Sequence, residues 1–169
     1  MTRKKASVEM EHTANRMMPA DALVIFGVTG DLVHKMIFPA LYAMAKHRVL
    51  NVPVVGVAGS KLSLAQLRKR AKDSIKQTGK IDDRDALEHL LSLLQYVGGD
   101  YNDLETFKAL KQTLGDAQHP AHYLAIPPAL FAKVIKGLGS SGLADQARVI
   151  VEKPFGRDLA LVWAHHGVN

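Results

Sequence analysis

The sequence predicts an α/β protein: a Rossmann-like, doubly wound and mostly parallel sheet. Three observations predict it. Short, largely apolar runs at 22–26, 52–57, 122–126 and 148–151 read as strands of a buried sheet. Segments with helical spacing separate them, and that alternation favours a parallel sheet wrapped on both faces by right-handed crossovers. The first run also ends in a glycine-rich turn that opens a helix, the place where such folds hold phosphates.

Residues 1–20 form a polar lead-in. Ala22-Leu-Val-Ile-Phe26 is then a continuous apolar strand closed by Gly27. Ile37, Leu41, Met44 and Ala45 keep helical spacing, with Pro39 expected in the first turn, where its missing N–H costs little. The run at 52–57 is a second strand, with Pro53 tolerated at its start. Ser63 and Gln66 form a capping box ahead of a helix lined by Leu64, Leu67, Ala71 and Ile75 and ended by Gly79.

Leu87, Leu90, Leu91 and Leu94 line another helix, and Tyr96-Val97 is a short strand before Gly98-Gly99. Asn102 or Asp103 can cap a helix carrying Phe107, Leu110 and Leu114, with Gly115 past its end. His122–Ile126 is a strand stopped by Pro127-Pro128. A helix through Phe131, Val134, Ile135 and Leu138 is stopped by Gly139, and Arg148–Val151 is the last strand.

Composition narrows the function. The 169 residues suit one domain with a real core. No cysteine is present, which excludes disulfides, thiolate nucleophiles and Cys-based zinc sites and fits a reducing cytoplasm. No histidine has metal-ligand spacing, so no metal site is expected. No apolar run approaches a membrane span of roughly 20 residues, and no secretory signal is visible. The net charge of +6 comes from basic residues interleaved with acidic ones and few aromatics. That pattern fits a solvated surface or a small phosphorylated ligand better than nucleic acid.

The turn reads Gly27-Val28-Thr29-Gly30-Asp31-Leu32-Val33-His34. One glycine permits the tight turn, another lets backbone approach a pyrophosphate, and N–H groups with the helix dipole hold the anion. Thr29 adds a hydroxyl donor, and Val33 stands where helix and sheet pack closely. A purely structural turn is the competing reading. After the second strand, Ala58-Gly59-Ser60-Lys61 has no carboxylate to take a ribose 2′-hydroxyl. Ser60 and Lys61 could instead hold a 2′-phosphate, which leans toward NADP while leaving NAD possible. A turn followed by a solvated lysine competes with that reading too.

Three motifs resemble the glucose-6-phosphate dehydrogenase family: Gly27-Val-Thr-Gly-Asp-Leu-Val-His-Lys-Met-Ile-Phe-Pro39, Tyr123-Leu-Ala-Ile-Pro-Pro128 and Val151-Glu-Lys-Pro-Phe-Gly-Arg-Asp-Leu159. The resemblance runs from about residue 21 to Leu159. It implies oxidation of the C1 hydroxyl of glucose 6-phosphate with NADP, the entry to the pentose phosphate pathway. It also implies that Gly27 to His34 form the cofactor loop and that Lys153 contacts the sugar near the nicotinamide. Pro154 would position domains and cofactor, and Phe131 falls where some members have a tyrosine beside the cofactor. From position alone, Lys153 follows an apolar strand at the carboxyl edge of the sheet, where ligands bind.

The sequence also departs from the family. Gly59 replaces an arginine that grips the 2′-phosphate in many members, and His34 and Met36 replace two lysines. The Arg-Ile-Asp-His-Tyr-Leu-Gly-Lys stretch, which in the family carries the general-base histidine, does not occur in the 169 residues. The expected organisation is therefore a lead-in (1–20), a dinucleotide-binding domain (21–160) without its last helix and strand, and a divergent tail (161–169) such as a frameshift would give. The catalytic domain is expected to be absent, the edge of the last strand unpaired and the isolated chain inactive. Two other readings stay open: a different sugar oxidoreductase with a Glu-Lys-Pro lysine, and a non-catalytic NADP-binding module or partner of a full-length homologue.

Overall fold

A computed structural model describes residues 19–152, together with the backbone of 159–162. Six strands form one sheet: β1 (Ala22–Phe26), β2 (Val54–Ala58), β3 (Leu94–Gly98), β4 (Pro120–Leu124), β5 (Arg148–Glu152) and β6 (Leu159–Val162). Their order is β3-β2-β1-β4-β5-β6. The first five strands are parallel to one another, and β6 is antiparallel to β5. Among the described residues five α-helices connect them: α1 (Phe38–Lys46), α2 (Leu64–Thr78), α3 (Arg84–Leu93), α4 (Leu104–Leu114) and α5 (Phe131–Ser140).

The continuous apolar strands feed two cores at once. Successive side chains of a strand point to opposite faces. Ile25 and Val54 therefore pack with Phe38, Leu41, Leu67 and Leu90 on the face of α1, α2 and α3. Val24, Phe26, Val55 and Val57 pack with Phe107, Leu110, Val134 and Leu138 on the face of α4 and α5. The predicted caps form. Ser63 Oγ accepts from the Gln66 amide at 3.1 Å while Gln66 Oε1 accepts from the Ser63 amide at 2.9 Å. Of the two expected candidates for α4 the cap is Asp103, through the Glu105 amide, and Asp83, not assigned from the sequence, caps α3 through the Ala86 amide.

The structure departs from the sequence expectation at several places; β4, for one, runs from Pro120 to Leu124 where the sequence predicts His122 to Ile126. Pro39 lies in the first turn of α1, as expected, but α1 does not begin the helical run. The helical run begins at Asp31, and a π-helical segment, Val33–Ile37, precedes α1. Proline cannot donate to the carbonyl four residues back, so the ladder widens upstream, and Phe38 donates to Val33 O instead. Leu94 belongs to β3, opposite Val54, because α3 runs into the strand without a loop. Spacing alone cannot see that change of partner.

Gly139 does not stop α5. The helix reaches Ser140, and the left-handed residue is Gly142 (φ 77°). Finally, no helix follows β5 among the described residues, but the β5 edge is not open. β6 lies against it, with Val149 opposite Val162 and Glu152 opposite Leu159. An antiparallel return needs only a short connection.

Two polar ties hold the frame near the strand starts and helix ends. Asp21 Oδ1 and Oδ2 accept from the amides of His119 (2.8 Å) and Gln118 (2.6 Å), locking the entries of β1 and β4 together. The Tyr42 hydroxyl donates to Asp82 Oδ1 (2.9 Å) and accepts from the Asp82 and Asp83 amides (3.1 and 2.9 Å), pinning α1 to the start of α3. No described helix is long and apolar enough to cross a membrane.

Candidate cofactor-binding site

The strand order reverses direction at β1. β2 lies on one side of it and β4 on the other, with a crossover between. In open parallel sheets the crevice at the carboxyl ends of two such strands is the ligand site. The predicted glycine turn lies there. Gly27 has φ 78°, and a Cβ on it would come 2.2 Å from Ala125 O and 2.8 Å from Ile126 Cγ2. Only glycine fits between the ends of β1 and β4.

The turn is then fixed by its own backbone. The Gly27 amide donates to Val57 O at 2.9 Å and also faces the Tyr101 hydroxyl at 2.9 Å. Gly30 N–H donates to Gly27 O at 2.9 Å, and His34 N–H to Gly30 O at 3.2 Å. Val28 and Val33 are buried, while Gly30 and Asp31 are exposed. The helical run opens at Asp31, so its first-turn N–H groups, which have no partner within a helix, sit at the rim of the turn.

Three residues of this site were not anticipated from the sequence. Gly56 leaves room for Val28, whose Cγ2 would be 2.7 Å from a Cβ there. Tyr101 rises from beyond β3, packs edge-on against Phe26 at 5.9 Å between ring centroids and places its hydroxyl on the turn. Burial pushes its phenol above the ordinary range, so it stays a neutral donor and acceptor. Arg70 on α2 donates from Nη1 to Thr29 O at 3.3 Å. None of the three carries a local motif, because each is defined by what it meets across the sheet.

At the end of β2, Ser60 and Lys61 are exposed. A Cβ at Gly59 would meet nothing within 4 Å. The Tyr96 hydroxyl donates to Ser60 O and lies 3.3 Å from Ala58 O, which holds this strand end in place. His34 is turned toward α2: its Nε2 is 2.8 Å from Gln77 Oε1, and its carbonyl accepts from the Ser74 hydroxyl. Phe131 is half-buried against the core on the α5 face. Lys153 and Pro154 lie outside the described residues. Just before them, Glu152 faces Tyr123, whose phenol is pushed up to about 12 by burial and then by the Glu152 carboxylate, which also hydrogen-bonds it.

This donor set fits a dinucleotide. A glycine is enforced at the switch point, helix amides rim the turn, and the end of β2 offers one ammonium (Lys61) and one hydroxyl (Ser60), with no carboxylate in Gly59-Ser60-Lys61. Residues 24–164 match the family described as glucose-6-phosphate dehydrogenase, NAD binding domain. The chain belongs to this family. Glucose-6-phosphate 1-dehydrogenase 1 of Mycobacterium bovis is 47% identical over 141 residues, covering 83% of this chain and 30% of the relative. The Kluyveromyces lactis glucose-6-phosphate 1-dehydrogenase is 36% identical over 149 residues, covering 81% of this chain and 30% of its own length.

Solved structures of the family superpose on the fold. The Mycobacterium avium glucose-6-phosphate 1-dehydrogenase gives a TM-score of 0.78 at 43% identity, over 83% of this chain and 31% of that one. A glucose-6-phosphate dehydrogenase in complex with glucose 6-phosphate gives 0.71 at 30% identity, over 84% and 33%. This member of the glucose-6-phosphate dehydrogenase family thus spans about 30% of the length of the curated relatives it matches.

Proposed function

We propose that this chain binds a nicotinamide dinucleotide, NADP in preference to NAD, and is the cofactor-binding part of a glucose-6-phosphate dehydrogenase. One observation carries the reading: the glycine turn stands at the β1–β4 switch point, where a side chain on Gly27 would strike the carbonyl of Ala125. In this reading the turn from Gly27 to Val33 takes the pyrophosphate through the first-turn amides of Asp31, Leu32 and Val33, with the Thr29 hydroxyl as an added donor. His34 closes the loop, Ser60 and Lys61 face the adenosine ribose, Phe131 flanks the cofactor, and Lys153 meets both sugar and nicotinamide. The bound cofactor would accept hydride from C1 of glucose 6-phosphate, leaving the lactone.

That transfer needs a proton acceptor for the C1 hydroxyl within about 3 Å. The described histidines nearest in sequence to the site motifs are engaged elsewhere. The His34 ring meets Gln77, and the His122 Nε2 donates to Leu143 O at 2.9 Å. The Arg-Ile-Asp-His stretch is not among the 169 residues. We therefore propose that these residues on their own bind cofactor without turnover. The absence of cysteine supports a cytoplasmic setting.

Calorimetric titration with NADP and NAD, beside an assay with glucose 6-phosphate, tests both parts. Saturable nucleotide binding without NADPH formation is expected. Turnover by the pure chain would overturn the inactivity, and no binding of either nucleotide would overturn the cofactor reading.

A further inference from the structure

We infer that Arg70, reaching across from α2, is the residue that grips the 2′-phosphate of NADP and sets the nucleotide preference of this site. The inference rests on the cofactor reading above. The adenosine ribose of a dinucleotide sits at the end of the second strand of such a sheet. Here the first residue past that strand, Gly59, has no side chain to offer, and a Cβ there would meet open space. The cation comes from another element. Arg70 is exposed on α2, and its Nη1 donates to Thr29 O at 3.3 Å, so the guanidinium is held at the glycine turn.

The Tyr96 hydroxyl lies at the end of β2, within range of the Arg70 charge. It is hydrogen-bonded to Ser60 O, and it feels the Arg70 charge against the upward push of its own burial. Arg70 is thus tied to the turn after β1 and lies within electrostatic reach of Tyr96, which holds the turn after β2.

The chemistry favours Arg70 over Lys61. A guanidinium carries five N–H donors in a planar fork that matches phosphate oxygens in pairs. One donor on Thr29 O orients the fork and leaves the others available. Lys61 is a hydrated point charge on a flexible stem. A 2′-hydroxyl, being neutral, gains little from the fork, so Arg70 discriminates NADP from NAD.

Arg70→Ala, Arg70→Lys and Lys72→Ala, made in the full 169-residue chain, test this by calorimetry with NADP, NAD and adenosine 2′-monophosphate. Lys72 removes the same charge from the same helix but lines the cleft between α2 and α3. Arg70→Ala is expected to weaken NADP and adenosine 2′-monophosphate roughly 10- to 100-fold, the range of one charge-assisted hydrogen-bonded contact, and NAD by less than about 3-fold. Arg70→Lys should fall between, and Lys72→Ala should match the unaltered chain. Equal loss of NADP and NAD would show only a tie to Thr29 and overturn the inference, as would unchanged NADP affinity. If the unaltered chain bound neither nucleotide, the cofactor reading itself would fall and take the inference with it.

Discussion

Gly27 approaches the end of β4 so closely that a Cβ on it would lie 2.2 Å from the carbonyl oxygen of Ala125. The contact is backbone against backbone, so no rotamer change relieves it, and φ 78° adds the usual left-handed penalty for an L side chain. Gly27→Ala should therefore cost about 2–4 kcal/mol and remove nucleotide binding. Gly30→Ala should cost less, because its Cβ would meet only Gly27 O, at 3.2 Å. Gly59→Ala, facing open space, should leave stability within about 0.5 kcal/mol. Urea unfolding midpoints of the three variants check the ranking.

His122 gives the fold an acid weakness. It is fully buried on β4, with Nε2 bonded to Leu143 O and Nδ1 without a hydrogen-bond partner among the described residues. Burial pushes its imidazole down from 6.5 to about 4, only partly offset by the Leu143 carbonyl. The unfolded chain then binds a proton that the folded chain refuses between these two values. Stability is fully present above pH 6.5 and is lost as pH falls toward 4. The loss attributable to this group is about 3 kcal/mol. Urea midpoints from pH 7.5 to 4.5 should fall, and His122→Gln should flatten that slope.

The Asp21 carboxylate is expected to matter more than its surface position suggests. It accepts from two backbone amides, at 2.6 and 2.8 Å, and so joins the entries of the two strands that frame the crevice. Asp21→Ala should destabilise by about 2–3 kcal/mol, the range of hydrogen bonds to a charged group. Asp21→Asn, which keeps one acceptor, should recover part of it. Thermal unfolding of both variants reads the difference.

The Tyr42 hydroxyl makes a donor and acceptor hub between α1 and the start of α3. Tyr42→Phe removes the hydroxyl, keeps the ring in the core and leaves the Asp82 and Asp83 amides to find water. A loss of about 1–2 kcal/mol is expected. Nucleotide affinity should not change, because the hub's partners, Asp82 and Asp83, lie at the start of α3 and none belongs to the turn. Paired denaturation and calorimetry separate the two effects.

Much of this architecture was legible in the sequence because its signals are local. The runs around Ile25, Val55 and Tyr123 are apolar on both faces, and Ser63 with Gln66 forms a cap whose partners are three residues apart. The turn from Gly27 to Val33 could be found because one strand and one helix flank it. What stayed hidden depends on distant partners. Gly56 is needed because Val28 overlies it, and Tyr101 meets Gly27 across 74 residues. Arg70 reaches Thr29 across 41 residues. Leu94 reads as helical until its pairing with Val54 makes it the first residue of a strand.

The most direct test of the cofactor claim is a calorimetric titration of the purified 169-residue chain with NADP, followed by NAD. Saturable binding at a single site, tighter for NADP than for NAD and lost in Gly27→Ala, is the predicted result. Absence of binding to both nucleotides, by a chain shown to be folded, would contradict it.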